Sequence, residues 1–232
     1  MKKSTTSRLF YNKWPYKIIC MVENSWMIKR LGVARTLDFC LNKSYYPRKS
    51  SAESKELLLN FTKDIESFLK DDLQIRAEGR LFSIYCKDTD LYDALVKNLH
   101  TYIYEVIEPA NAQELEYMLD NGHKKILCNQ LPHQKYRYKV YFKSGCNLDI
   151  KSQFGSWIRN YSTKVRIARS TKNWFTSGWI SAPFIHIEDR STLAMVGLFM
   201  AGSVVKVEEF ILRSSINTCL NQEQVCQHSV LD

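Results

Sequence analysis

Residues 83–108, SIYCKDTDLYDALVKNLHTYIYEVIE, and residues 184–210, FIHIEDRSTLAMVGLFMAGSVVKVEEF, follow one pattern. In each, an alternating strand ends in acidic residues, Asp88 and Asp90 in the first and Glu188 and Asp189 in the second. Negative charge is favourable where a helix begins. A helix of about three turns follows in both, then a second strand, as judged from the period of the apolar positions. Self-similarity on this scale marks a duplicated structural module.

The segments before these stretches supply the rest of each module. Before the second copy, Tyr136 to Lys143 alternates as a strand, Asn147 can cap a helix from Leu148 to Tyr161, and Lys164 to Arg169 is a short strand. The segment STKNWFTSG (170–178) reads as turn, and Gly202 suits the left-handed stop after the helix 191–201. Before the first copy, 16–23 is a strand, 26–41 a helix, 56–70 a second helix, and 74–79 with 80–86 a strand pair turning at Gly79. The order βαββαβ in both halves predicts an α+β chain of two tandem ferredoxin-like modules. Each is expected to be a four-stranded antiparallel sheet with helices on one face. Right-handed crossovers are expected to set its first and third strands parallel. The predicted layout is a basic N-terminal arm (1–15), module 1 (16–110), a helical linker (111–134), module 2 (135–214) and a C-terminal tail (215–232).

Composition narrows the class. In 232 residues there are only eight Gly and five Pro, too few for collagen-like or linker-like chains, and neither a P-loop nor a dinucleotide-binding glycine pattern occurs. The seven Cys are scattered with no C-x-x-C, which argues against a disulfide scaffold or a zinc site and for a reduced, intracellular protein. No apolar core follows Lys2 and Lys3 before Lys13, so no signal peptide is expected. The longest uncharged run, Ser191 to Val205, is shorter than the roughly 18 residues a bilayer span requires. A soluble protein of cytoplasm or nucleus, with no membrane contact, is the expectation.

The net charge of +9 is unevenly distributed. Residues 1–50 hold eleven basic and two acidic side chains, 51–120 seven and fifteen, 121–187 twelve and one, and 188–232 three and six. Either the blocks neutralise one another within the fold, or 1–50 and 121–187 line one electropositive surface for an anionic partner.

Alternation assigns side chains to the two faces of each predicted sheet. In module 2 the face away from the helices should carry Arg137, Lys139, Tyr141, Lys143, Lys164, Arg166, Phe184, His186 and Lys206, with Tyr136, Tyr138, Val140, Phe142, Val205 and Val207 on the core side. Basic groups that hold phosphates beside rings that stack on bases are the means by which single-strand binders work. Lys172 and Trp174 in the β2–β3 connection extend this set, and Trp174, Phe175 and Trp179 together could instead meet a protein partner. An ordinary solvated sheet face is the plain alternative. The outward set of module 1 (Ile19, Met21, Ser83, Tyr85, Tyr102, Tyr104) is apolar, and should be buried against another surface such as module 2.

Catalytic motifs are sparse. Tyr161–Lys164 is a Y-x-x-K, and with His186 on a central strand it resembles replication-initiator nucleases, which use the same type of sheet. Those enzymes set two His about one residue for a metal, whereas here the order is Ile185-His186-Ile187. The architecture also resembles CRISPR-repeat processing nucleases, whose glycine-rich C-terminal loop is represented here only by Gly197 and Gly202. His186 is the single weak candidate for a general base. No metal ligand set and no cofactor are predicted, although Glu188/Asp189 and Glu208/Glu209 are carboxylate pairs. The expected function is non-enzymatic binding of RNA or another single-stranded nucleic acid. The alternatives are a protein–protein adaptor or structural component, such as a viral accessory protein, and an RNA-processing nuclease.

Overall fold

The computed structural model describes residues 1–41, 51–70, 72–161, 163–176 and 181–216. The chain divides into two α+β units, Met1–Gly122 and His123–Asp232, each with its own five-stranded sheet.

The first unit runs β1 (Lys2–Thr5), β2 (Tyr16–Met21), α1 (Trp26–Leu31), α2 (Val33–Leu41), α3 (Ala52–Glu66), β3 (Leu73–Glu78), β4 (Leu81–Cys86), α4 (Thr89–Asn98), β5 (Ile103–Glu108) and α5 (Ala112–Asn121). Its sheet order is β1-β5-β2-β4-β3. Side-chain caps start the longer helices. Ser51 accepts from the Ser54 amide at 3.1 Å, and Asp88 accepts from the Leu91 amide at 2.8 Å, each satisfying an otherwise orphaned donor. The single helix expected over 26–41 is two, because Gly32 takes φ +80°, a left-handed conformation that ends α1. Ile18, Cys20, Phe82 and Ile84 of the central strands pack against Leu58, Phe61 and Ile65 of α3 and Leu95 of α4.

The second unit runs β6 (Lys125–Cys128), β7 (Tyr138–Phe142), α6 (Leu148–Arg159), β8 (Val165–Ile167), α7 (Arg169–Trp174), β9 (Phe184–Ile187), α8 (Arg190–Phe199) and β10 (Val204–Leu212), with sheet order β6-β10-β7-β9-β8. Asn147 and Asp189 cap α6 and α8. The core gathers Val140, Phe142, Phe154, Ile158, Ile185 and Val196. The stretch expected as a turn after β8 is the helix α7, and it places Trp174 in that core.

The sheets depart from expectation in two ways. Each has a fifth strand, contributed by residues expected to be an arm or a linker. Here β1 pairs parallel with β5, and β6 pairs parallel with β10, so the sheets are mixed. The first and third strands of each expected module, β2/β4 and β7/β9, are antiparallel neighbours and not parallel ones. Both units also share a bulge. The register skips Tyr104 in β5 and Val205 in β10, which turns these residues to solvent. An extra residue inverts the alternation locally, so Val205 is 62% exposed instead of facing the core. Similarly, Tyr102 precedes β5 and lies in the core beside Phe61, with its hydroxyl on Asp64.

Residues 6–15 of the first unit close over the sheet face that the helices leave bare. Phe10 and Tyr11 pack on Tyr85 with ring centroids 5.6 and 5.0 Å away, and Leu9 and Trp14 are buried. This face was expected to need cover, and the chain's own N-terminal strap provides it. Three lysines of the basic N-terminal block are paired locally, as Lys2–Glu105, Lys3–Glu108 and Lys13–Asp72. Truncating a buried Trp costs about 3–5 kcal/mol. Trp14→Ala should therefore lower the urea midpoint of the first unit markedly, and removing residues 1–15 should lower it further. Unchanged midpoints in equilibrium unfolding would contradict the strap.

Candidate nucleic-acid interface on the second sheet

Strand register places the predicted residues in rows across the second sheet. One row runs Glu208 (β10), Lys139 (β7), His186 (β9), Arg166 (β8), and the next runs Lys206, Tyr141, Phe184. Neighbouring strands lie about 4.8 Å apart, so these side chains share one surface. Arg137 and Lys143 flank them at the two ends of β7 and are exposed. Eight of the predicted residues (Lys139, Tyr141, Arg166, Phe184, His186, Lys206 and the flanking Arg137 and Lys143) are thus brought together.

Three predicted members differ in their setting. Lys164 is paired with Asp189 at 3.1 Å, whose carboxyl is held well below its usual range by bonds from Ser191 and the Thr192 amide and by Lys164. Lys172 is exposed on α7, outside the rows. Trp174 is no surface anchor: it is 0% exposed, stacks on Phe142 at 5.3 Å and donates its indole N–H to the Ser144 carbonyl at 3.1 Å. Phe175 packs against Phe154 and Gly155 at the margin of the same core. Trp179 lies outside the described residues.

The chemistry of the face differs from its charge count. Glu208, not among the predicted site residues, is buried at 3% exposure among the cations. Burial pushes its carboxyl up, but hydrogen bonds from Lys206 Nζ (2.7 Å) and the Tyr141 hydroxyl (3.0 Å), with the charges of Lys206 and Lys139, outweigh this and hold it below its usual range. Alternation from Lys206 carried on by two residues would have found it. Lys139 Nζ lies 4.0 Å from the Phe184 ring centre and 4.7 Å from that of Tyr141, close enough for cation–π attraction.

His186 is not a cation. Burial first, then the charges of Lys139, His133 and Arg166, push its imidazole down to about 4. It is enclosed by the rings of Phe184, His133, Tyr136 and Phe210 at 5.5 to 6.4 Å. Tyr136, expected on the core side, is therefore part of the outer face.

That enclosure repeats the strap of the first unit. LFYNKWPYK (9–17) and LPHQKYRYK (131–139) share Leu, an amide residue, Lys, an aromatic, Tyr and Lys in the same spacing. Tyr11 and Asn12 have positive φ, and so do His133 and Gln134. The amides of Lys13 and Trp14 both bond to the Phe10 carbonyl, as those of Lys135 and Tyr136 bond to Pro132. Tyr85 and His186, the residues covered, both lie opposite the Lys of the repeated Tyr-Lys pair, Lys17 and Lys139. The second sheet face is thus half covered, and the strap was legible only by aligning the segments before the modules.

Among the described residues no group of three or more His, Cys, Asp or Glu is placed to hold a metal ion, and no helix is long and apolar enough to cross a membrane. No known protein family, curated protein or solved structure matches the chain.

Because the folded-state value for His186 lies below the free value, the unfolded chain binds the proton more readily between about 4 and 6.5. Its contribution therefore opposes folding increasingly as pH falls through that window. The His186 ring protons should titrate near 4 by NMR, and His186→Gln should make stability less acid-sensitive. A midpoint near 6.5 would contradict the enclosure. Trp174→Ala should lower stability by about 3–5 kcal/mol, measurable by chemical denaturation; a stability equal to wild type would contradict the burial.

Proposed function

We propose that the chain is a non-enzymatic binder of single-stranded nucleic acid, RNA being the expected form. In this proposal each unit is a ferredoxin-like βαββαβ module with one added edge strand. The orders β5-β2-β4-β3 and β10-β7-β9-β8, with antiparallel neighbours and a helix in each crossover, support that assignment.

The observation that carries the functional proposal is the row Lys139–His186–Arg166 beside Tyr141 and Phe184. Two cations stand two strands apart, with a neutral ring between them. Phosphates would meet Lys139, Arg166 and the exposed Arg137. A base would stack on Phe184 after Lys139 swings from the ring to a phosphate. Glu208 holds Lys206 and so removes it from the phosphate-binding set. Burial and the neighbouring cations make the His186 imidazole a weak base, pushed down to about 4, which favours a binding role over general-base catalysis.

Affinity should fall linearly with log salt, with a slope of about 0.7 per phosphate contact on single strands. The double variant Lys139→Ala/Arg166→Ala should reduce that slope by about 1.4. Phe184→Ala should weaken binding by about 1–3 kcal/mol without changing the slope, and His186→Gln should leave the slope unaltered. Electrophoretic mobility or fluorescence titrations, with circular dichroism to establish folding, provide the measurement. A folded double variant that binds single-stranded RNA like the wild type would remove this face as the site. Weak, non-saturating binding by the wild type would instead favour the adaptor.

A further inference from the structure

The repeat places a cavity at the same position in both units. That of the first unit, about 440 Å³, is lined by Lys3, Tyr16, Thr89, Tyr92 and Glu108 among others, and that of the second, about 360 Å³, by Lys125, Tyr138, Arg190, Leu193 and Glu209 among others. These are corresponding residues. Lys3 and Lys125 share the offset of Tyr16 and Tyr138, and Thr89/Arg190, Tyr92/Leu193 and Glu108/Glu209 share a second common offset. Asp88 and Asp189, which precede the third pair, cap the equivalent helices α4 and α8. Both volumes fall in the range of small-molecule sites, about 300–1,000 Å³.

The two cavities differ in how their polar groups are satisfied. In the first unit, Tyr16 stacks on Tyr92 at 4.6 Å and shares a hydrogen bond with Thr89 at 2.9 Å. Tyr92 donates to Glu108 at 2.6 Å, and Lys3 pairs with the same carboxylate. Asp93 adds a second negative charge to the lining. This network is closed on itself. In the second unit, Leu193 in place of Tyr92 removes the stack and its hydroxyl, and Arg190 in place of Thr89 adds a guanidinium. Lys124 adds another cation, and Glu209, beside Lys125 and Tyr138 in the sheet register, is the one carboxylate of that lining. Arg190 and Lys124 enter no ion pair among the described residues. The lining therefore changes from one cation with two acids to three cations with one acid.

We infer that the second-unit cavity binds a small phosphate monoester, with Arg190, Lys124 and Lys125 on the phosphate and Leu193, Val207 and the Tyr138 ring against the organic part. Arginine suits this role because its planar fork meets phosphate oxygens two at a time. The cavity is lined by the core-side residues Tyr138 and Val207, so it is separate from the Lys139–Arg166 face.

The test titrates the full chain with adenosine 5′-monophosphate, inorganic phosphate and adenosine, read by calorimetry and by amide shifts of Lys125, Tyr138, Arg190 and Glu209. Saturable binding of the monophosphate is expected, at least tenfold tighter than inorganic phosphate and adenosine. Arg190→Thr/Leu193→Tyr, which restores the closed network of the first unit, should weaken it at least tenfold while leaving the single-strand salt slope unchanged. Arg190→Gln, at an exposed helix start, repeats the test without adding a ring. No saturable binding of the monophosphate, adenosine binding as tightly as it does, or full affinity in the Arg190→Gln variant would each overturn the inference. None of these outcomes bears on the sheet face.

Discussion

A sheet covered by helices on one side leaves a second face, and whatever lies on that face must be covered or tolerate water. In the first unit Ile19 and Tyr85 lie there and are almost wholly buried, which only the strap of residues 6–15 makes possible. The constraint explains why that segment is aromatic, why Lys17 lies within cation–π range of Phe10 and Tyr85, and why a fifth strand begins the unit. Once β1 is anchored along β5, the chain has to cross the sheet to reach β2, and the strap is that crossing.

The second unit obeys the same geometry with different chemistry. Its strap covers His186 with His133 and Tyr136, but Pro132 replaces Phe10 and cannot donate the amide bond that Phe10 gives to the Trp14 carbonyl. Leu131 is half-buried where Leu9 is buried. Less cover leaves Tyr141, Phe184, Lys139 and Arg166 reachable from solvent, and these residues carry the proposed function. Divergence between the copies also marks the paired cavities, whose positions persist while their charge is inverted.

Periodicity made the eight strands and most helices of the two repeats legible, since each apolar face keeps one period along its element. The short edge strands KKST and KILC were not legible, because four residues give no usable period and their pairing is set by β5 and β10. Bulges defeated strict alternation at Tyr104 and Val205. For the site, alternation placed Lys139, Tyr141, Arg166, Phe184 and His186 correctly on one surface. It could not show that enclosure keeps His186 neutral, that Glu208 ties up Lys206, or that α7 turns Trp174 inward. Those properties come from tertiary packing, which overrides the local pattern.

Equivalent straps from the chain itself cover Tyr85 on the first sheet and His186 on the second. Nuclear Overhauser contacts in the intact 232-residue chain decide whether they do. Cross-peaks are expected from the Tyr136 and His133 ring protons to His186, alongside those from Phe10 and Tyr11 to Tyr85. Contacts in the first unit with none in the second would show that the strap is not repeated, and their absence from both would show that neither strap covers its sheet.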